Sequence, residues 1–319
     1  MIGLGGTIAM TAADGGGVVP ALSADELVAA VPGLAATGVE VEVVDFRRAP
    51  GASLTFADLA ALVAEVRQRC AAGFDGVVVT QGTDTIEETS YHLDLRHTAP
   101  QPVVVTGAMR NPTLAGADGP ANLLAAVQTA AHPDARDLGC LVVFADEIHA
   151  AHRVRKTHTI SGATFVSPNG GPLGQVVEGT PRILNRPTGR TVLPHSDDER
   201  RDVRVGLVTA TLGDDGAHLA DLAVDGLVVA AFGVGHVPDT WVAPLARLAA
   251  RIPVVLASRT GAGPVLAGTY AFPGSERDLL SRGLIGAGFL DPLKARILLH
   301  GLLAAGADAD TVASAFGRR

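Results

Sequence analysis

The chain has 319 residues, enough for two domains, and 47% of them are hydrophobic, which excludes extensive disorder. Its net charge of −8, from 25 basic and 33 acidic residues, leaves no broad basic footprint for nucleic acid or an anionic membrane. Cys70 and Cys140 form no CxxC pair and no disulfide framework, so reduced thiols in a cytoplasmic protein are expected. Residues 1–9 run into a glycine turn without a basic leader region, so no secretory signal is expected. No apolar run reaches the roughly 20 residues that span a bilayer.

In chain order, Ser23-Ala-Asp-Glu26 is a capping-box pattern and predicts the start of a helix. Residues 39–44 predict a strand with one wet face, because Glu40 and Glu42 alternate with valines. Phe56, Leu59, Leu62, Val63 and Val66 form one apolar stripe, predicting a helix over residues 55–70. Strands are then expected at 76–80, 103–106 and 141–144, the first apolar up to Thr80. Residues 188–202 are polar, hold Pro194 and carry the run Asp197-Asp-Glu-Arg-Arg201, the composition of a surface linker. Further strands are expected at 203–209, 226–230 and 254–257. Asp291-Pro292 then supplies an N-cap and a first-turn proline for a helix bearing Ile297, Leu298, Leu302 and Leu303. The alternation predicts two α/β domains: a larger amino-terminal one (1–187) with a mainly parallel sheet, a linker (188–202) and a smaller carboxyl-terminal one (203–319).

Two segments carry chemistry. Gly3-Leu-Gly-Gly-Thr-Ile-Ala9 sits where a first strand ends, and its paired glycines allow a tight turn that leaves the Thr7 hydroxyl exposed. A dinucleotide loop fits poorly there: Ile8 replaces the third glycine, and Asp45 lies well beyond the ~20-residue spacing of a ribose contact. Thr80-Gln-Gly-Thr-Asp-Thr-Ile-Glu-Glu-Thr89 follows an apolar strand and opens a helix, which puts Gly82, Thr83 and Asp84 at the carboxyl end of a parallel strand. Taken alone, Thr83 or Asp84 reads as a helix cap, a role both residue types favour. Glu147, His149, His152 and His158 lack HExxH spacing, and Arg153 and Arg155 would oppose a cation, so no metal is expected. Lysine occurs only at Lys156 and Lys294, while arginine supplies the remaining positive charge. Arg153-Val-Arg-Lys156 reads as a solvated basic face, or, because arginine does not give up its proton, as the setting of a functional lysine. Lys294 reads as structural, at a helix start.

Together, Gly5-Gly-Thr-Ile-Ala9 and Gln81-Gly-Thr-Asp-Thr-Ile-Glu-Glu-Thr89 resemble the bacterial-type L-asparaginase family. The resemblance continues through Val105-Thr-Gly-Ala-Met-Arg110, Ala117-Asp-Gly-Pro-Ala-Asn-Leu123, Arg155-Lys-Thr157 and Asp291-Pro-Leu-Lys-Ala-Arg296, spanning most of the chain. It implies hydrolysis of L-asparagine to L-aspartate and ammonia through an acyl-enzyme on threonine, with no metal or organic cofactor. It makes Thr7 the nucleophile or its immediate partner, Thr83 and Lys156 a second arm, and Asp84 the holder of the substrate ammonium. Substrate would also meet Gly51, Ala52, Ser53, Gly82 and His236. It further implies a homodimer or homotetramer with sites between subunits, the Gly233-Val-Gly-His236 segment reaching a neighbour's site. A threonine hydroxyl needs a nearby base, and a lysine serves only where desolvation or positive charge favours its neutral form, against which a neighbouring carboxylate works.

The sequence departs from the family pattern in places. It has no tyrosine before Tyr91, so the short glycine-rich loop at 10–20 cannot supply the phenol that relatives place over the site; Thr11 is a partial substitute. Gly51-Ala52 stands where relatives carry a polar pair, with Ser53 beside it. The acidic residue that some relatives contribute from the second domain has no clear match at 262–271, which leaves Tyr270 and Glu276 as the only candidates. A glutaminase, a mixed-specificity enzyme or a non-catalytic amino-acid binder would share these motifs. So would the glutaminase-like subunit of a tRNA amidotransferase, which carries an additional amino-terminal domain.

Overall fold

The computed structural model describes residues 1–6, 8, 10–12, 18–20, 23–194 and 202–317, and its chain forms two compact units, Met1–Val192 and Leu193–Arg319. The first unit opens with β1 (Ile2–Gly3) and an antiparallel pair, β2 (Met10–Ala12) and β3 (Val18–Pro20). Next come α1 (Ala24–Ala29), β4 (Val44–Asp45), α2 (Phe56–Ala71), β5 (Val77–Thr80), α3 (Ile86–Arg96), β6 (Val103–Thr106) and α4 (Gly119–Ala131). The unit closes with β7 (Cys140–Phe144), β8 (Glu147–Ala150), β9 (Arg155–Lys156), β10 (Phe165–Val166), β11 (Gly174–Val177) and β12 (Thr180–Ile183).

Helix starts follow local chemistry. Ser23 and Thr55 each close a capping box, with Glu26 and Asp58 respectively, so the first orphan amides of α1 and α2 are satisfied within three residues. The main sheet runs β12-β11-β8-β7-β6-β5-β1-β4. Strands β4, β1, β5, β6 and β7 are mutually parallel, whereas β8, β11 and β12 form an antiparallel extension. Side-chain alternation splits the core into two layers. Val78, Val104, Leu141 and Val143 face Leu123 and Ala126 of α4. Val77, Val79, Val103, Val105, Val142 and Phe144 face Leu62 and Val66 of α2 and Ile86 and Leu93 of α3. Being covered on both faces, these strands are apolar up to the threonines that end β5 and β6.

Three features go against the sequence expectation or beyond it. The strand expected at 39–44 survives only as Val44–Asp45, because its neighbour β1 offers just Ile2 and Gly3 to pair with. The polar helix α3 is buried along nearly its whole length, Glu87, His92, Asp94 and Arg96 included. Within the polar stretch expected as a linker, Arg190 is pinned: its Nη1 donates to the buried Asp94 Oδ1 at 2.6 Å and its Nη2 to the His97 carbonyl at 3.0 Å. Asp94 Oδ1 also accepts the Cys140 N–H, so one carboxylate ties α3, β7 and this segment together.

The second unit has a parallel sheet of β13 (Val205–Thr209), β14 (Gly226–Ala231), β15 (Val254–Ser258) and β16 (Ile285–Gly286), in that spatial order. Its helices are α5 (Asp239–Ala249), α6 (Glu276–Ser281), α7 (Pro292–Ala304) and α8 (Ala309–Gly317). Leu227, Val229, Val254 and Leu256 pack on Trp241, Leu245 and Leu248 of α5, while α7 covers β13, β14 and β15. Asp291 caps α7 by accepting the Leu293 and Lys294 N–H groups, and its other oxygen takes the fully buried Lys294 Nζ at 3.0 Å. Lys294 is thus part of a helix cap. Among the described residues no helix is long and apolar enough to cross a membrane.

Candidate active site

Three chain segments meet backbone to backbone at the carboxyl end of β1 and β5. Gly6, at φ +90°, lies so near the next strand's turn that a Cβ there would sit 2.1 Å from the Gly82 N. A Cβ on Gly51 would sit 2.8 Å from the Gly82 carbonyl oxygen, and one on Gly82 would sit 3.0 Å from the Gly51 N. Only glycine permits this approach, since real side chains essentially never reach such distances. Thr7, next in the chain after Gly6, lies outside the described residues, as do Asp14 to Gly17 of the glycine-rich loop.

Beyond Gly82 the chain makes a 3₁₀ turn, Thr83–Thr85, before α3 begins. Lys156 reaches this turn from β9, held in place by antiparallel pairing with Phe165 and by its own amide donating to Glu87 Oε1 at 3.4 Å. Its Nζ donates to Thr83 Oγ1 at 3.0 Å and to Asp84 Oδ1 at 2.9 Å. The three differ in exposure. Thr83 is buried and the Lys156 side chain is 17% exposed, whereas Asp84 is 66% exposed. The 3.0 Å contact thus links the Thr83 hydroxyl to the lysine amine, while the carboxylate stands where a cation can reach it. Ala52 and Ser53 are exposed beside the buried Gly51 in a single 3₁₀ turn, Gly51–Ser53.

The structure thus brings Gly51, Gly82, Thr83, Asp84 and Lys156 together, with Ala52 and Ser53 at their edge. His236 belongs to the second unit, at the carboxyl end of β14. There its Nε2 meets Glu276 Oε2 at 3.2 Å, and its ring stands edge-on to Tyr270 and Phe272, both at 4.9 Å between centroids. Glu276 is fully buried, and its other oxygen accepts the Thr269 and Tyr270 N–H groups at 2.9 and 2.8 Å. Burial pushes the Glu276 carboxyl up, but the backbone N–H groups, led by that of Tyr270, together with His236 outweigh it and hold the carboxyl below the ordinary range. Sequence reading reached Glu276 only as one of two nearby positions. Its partner lies 40 residues away, with no local pattern joining them.

His149, considered above for a metal, is fully buried in β8, with Nδ1 at 3.0 Å from Ser167 Oγ and Nε2 at 3.3 Å from Glu147 Oε2. Burial pushes its pKa down to about 4, which keeps the ring neutral. Among the described residues no group of three His, Cys, Asp or Glu side chains could hold a metal. A cavity of about 460 Å³ opens near Glu40, Glu42 and Asp75 and shares no residue with the Thr83–Lys156 cluster. It lies at the amino ends of the strands, whereas open parallel sheets gather ligands at the carboxyl ends.

Comparison with known proteins matches most of the chain to one family. The family model described as "Asparaginase, N-terminal" matches residues 1–189, and "Glutaminase/Asparaginase C-terminal domain" matches residues 204–316. A "Probable L-asparaginase" of Deinococcus radiodurans is 38% identical over 99% of this chain and 96% of its own length. An "L-asparaginase" of Bacillus licheniformis is 33% identical over 95% of this chain and 94% of its own length. The crystal structure of a "Probable Cytoplasmic L-asparaginase" from Campylobacter jejuni superposes with a TM-score of 0.87 at 31% identity, covering 99% of this chain and 97% of that one.

Proposed function

The chain belongs to the asparaginase family, and from that premise we propose that it hydrolyses the side-chain amide of L-asparagine to L-aspartate and ammonia. The observation that carries the reading is the approach of Lys156 Nζ to both Thr83 Oγ1 and Asp84 Oδ1 from a strand 73 residues away. In this reading the exposed Asp84 carboxylate takes the substrate's ammonium group. The turn of Gly51, Ala52 and Ser53, with Gly82, takes its α-carboxylate. Thr7 attacks the amide carbon or assists the attack, and Lys156 with Thr83 relays protons. A threonine oxygen bonds to the carbonyl carbon, the C–N bond breaks, and ammonia leaves carrying the proton that the hydroxyl gave up. Water then adds to the ester and releases aspartate, returning the proton to threonine.

His236, fixed by Glu276, would complete the site from a second copy in a homodimer or homotetramer, and the enzyme would act in the cytoplasm. Residues 1–187 and 203–319 would be the two family domains, with 188–202 joining them. A second reading, mixed asparaginase and glutaminase activity, is favoured by one feature: the Ala52 position lacks a side-chain hydroxyl that could clamp the shorter amino acid.

The test is ammonia release from L-asparagine and, separately, from L-glutamine, with Thr83→Val as control. Turnover of asparagine that the control abolishes is the expected result. No ammonia from either amide, with a folded protein, would overturn the reading.

A further inference from the structure

Between the catalytic turn and the Gly51–Ser53 turn runs a polar chain that the chemistry above does not use. Gln81 is fully buried; its Nε2 donates to the Gly82 carbonyl at 3.3 Å and to Thr85 Oγ1 at 3.2 Å. The Thr85 hydroxyl donates onward to the Gly51 carbonyl at 3.1 Å. The direction of this relay is dictated by its ends. Both carbonyls only accept, so the hydroxyl gives its proton to Gly51 and receives one from the Gln81 amide. The amide therefore turns its nitrogen toward the two turns, although among the described residues this leaves the buried Gln81 Oε1 without a hydrogen-bond partner. Burying an unsatisfied oxygen is costly, so the two bonds on the nitrogen side must matter to the fold or to the site.

Backbone packing points the same way. Gly51 approaches Gly82 so closely that it tolerates no Cβ, one on Gly82 would be tight, and a Cβ on Gly51 would also meet Thr85 Oγ1 at 3.3 Å. Contact sets the shortest separation of the two turns, and the Gln81–Thr85–Gly51 relay keeps them from drifting apart.

We propose that Gln81 and Thr85 are positioning residues that set the length of the amino-acid pocket. The inference rests on the reading that Gly51–Ser53 holds the substrate's α-carboxylate while chemistry occurs at the Thr83 turn. The relay then fixes the distance between the anchor for the amino-acid end and the hydroxyl that meets the amide. A four-carbon amide spans that distance, and a five-carbon amide overshoots by one methylene. Loosening the relay lets the anchor recede, which costs the shorter substrate its fit and relieves the crowding of the longer one. One methylene is worth roughly 10–200-fold in discrimination, so the effect is measurable.

The experiment compares wild type, Thr85→Val, Thr85→Ser and Gln81→Met by steady-state ammonia release from both amides. Thr85→Val keeps the side chain's shape and removes the hydroxyl. The expected result is a KM for asparagine raised about tenfold with kcat changed less than about twofold, since only positioning of the ground state is lost. The ratio of kcat/KM for asparagine over glutamine falls about five- to tenfold. Thr85→Ser restores wild-type values, and Gln81→Met shifts the ratio in the same direction by less. A merely structural role would lower activity on both amides together and leave the ratio where it was. That outcome, or an unchanged ratio in Thr85→Val, overturns the proposal. Equilibrium titration with L-aspartate and L-glutamate reads the same ratio without turnover. If wild type releases no ammonia but Thr85→Val loses its preference for the shorter amino acid, the catalytic reading fails and the positioning role stands. If wild type binds neither amino acid, both fail.

Discussion

The carboxyl ends of the parallel strands in the two units are built from opposite materials. In the amino-terminal unit, Gly6, Gly51 and Gly82 meet as bare backbone, and the charged group beside them, Asp84, is left largely in solvent. In the carboxyl-terminal unit a fully buried carboxylate, Glu276, is wrapped by two amide groups and one imidazole, and aromatic rings close over the histidine. The difference separates two jobs. Backbone packing brings chain segments to a separation that no side chain could reach, and it places the Thr83–Lys156 pair beside them. A buried, fully bonded carboxylate holds a single histidine in one orientation.

If that division is right, the largest effect on chemistry comes from Lys156→Met. Ammonia release should fall about 10²- to 10⁴-fold, the usual weight of a positioned proton-transfer group, while the thermal midpoint stays within a few degrees of wild type. A comparable loss of stability would place Lys156 with the structural groups.

Backbone contact is tested by Gly6→Ala, which puts a methyl group into the Gly82 amide at a positive φ. Urea denaturation should show a loss of about 3 kcal/mol or more, because neither backbone can yield. Gly38→Ala is the paired control: φ is also positive, +69°, but nothing lies within 4 Å, so about 1 kcal/mol is expected. Equal losses at the two sites would mean that φ, and not contact, dominates.

Protonation of His149 should follow in size. Its pKa is lowered in the fold from 6.5 to about 4, so between those values the unfolded chain binds the extra proton and the folded chain does not. Stability is complete above about pH 6.5 and declines by about 3 kcal/mol as the pH falls toward 4. His149→Gln should flatten the pH dependence of urea midpoints across that window; a slope identical to wild type would assign it elsewhere.

The smallest effect belongs to the side-chain-built cluster. Glu276→Gln retains one oxygen acceptor but loses the charge that binds two amides and His236, costing about 2 kcal/mol. The folded carboxyl lies below its ordinary range, so its contribution is present above the unfolded pKa and lost as pH falls through the folded one. Near-neutral pH is where wild type and variant should differ most in denaturation midpoint.

Much of this protein was legible residue by residue. Capping boxes at Ser23 and Thr55 and the Asp291 cap act within three residues, and the buried valine strands declare themselves by composition, so sequence determined the helix starts and the α/β alternation. The resemblance of two threonine motifs to one family also drew attention to Thr83, Asp84 and Lys156 before any geometry was available. What remained hidden depends on partners distant in the chain. Polar helix α3 and Arg190 look solvent-exposed until the Asp94 ion pair joins positions 96 residues apart. The antiparallel extension β8, β11 and β12 carries mixed residues with no periodicity to announce it. Sequence marks glycines as permissive without saying what they touch. Only the tertiary structure decided that Gly6, Gly51 and Gly82 are one contact, because close approach of three backbones is a property of space and not of spacing.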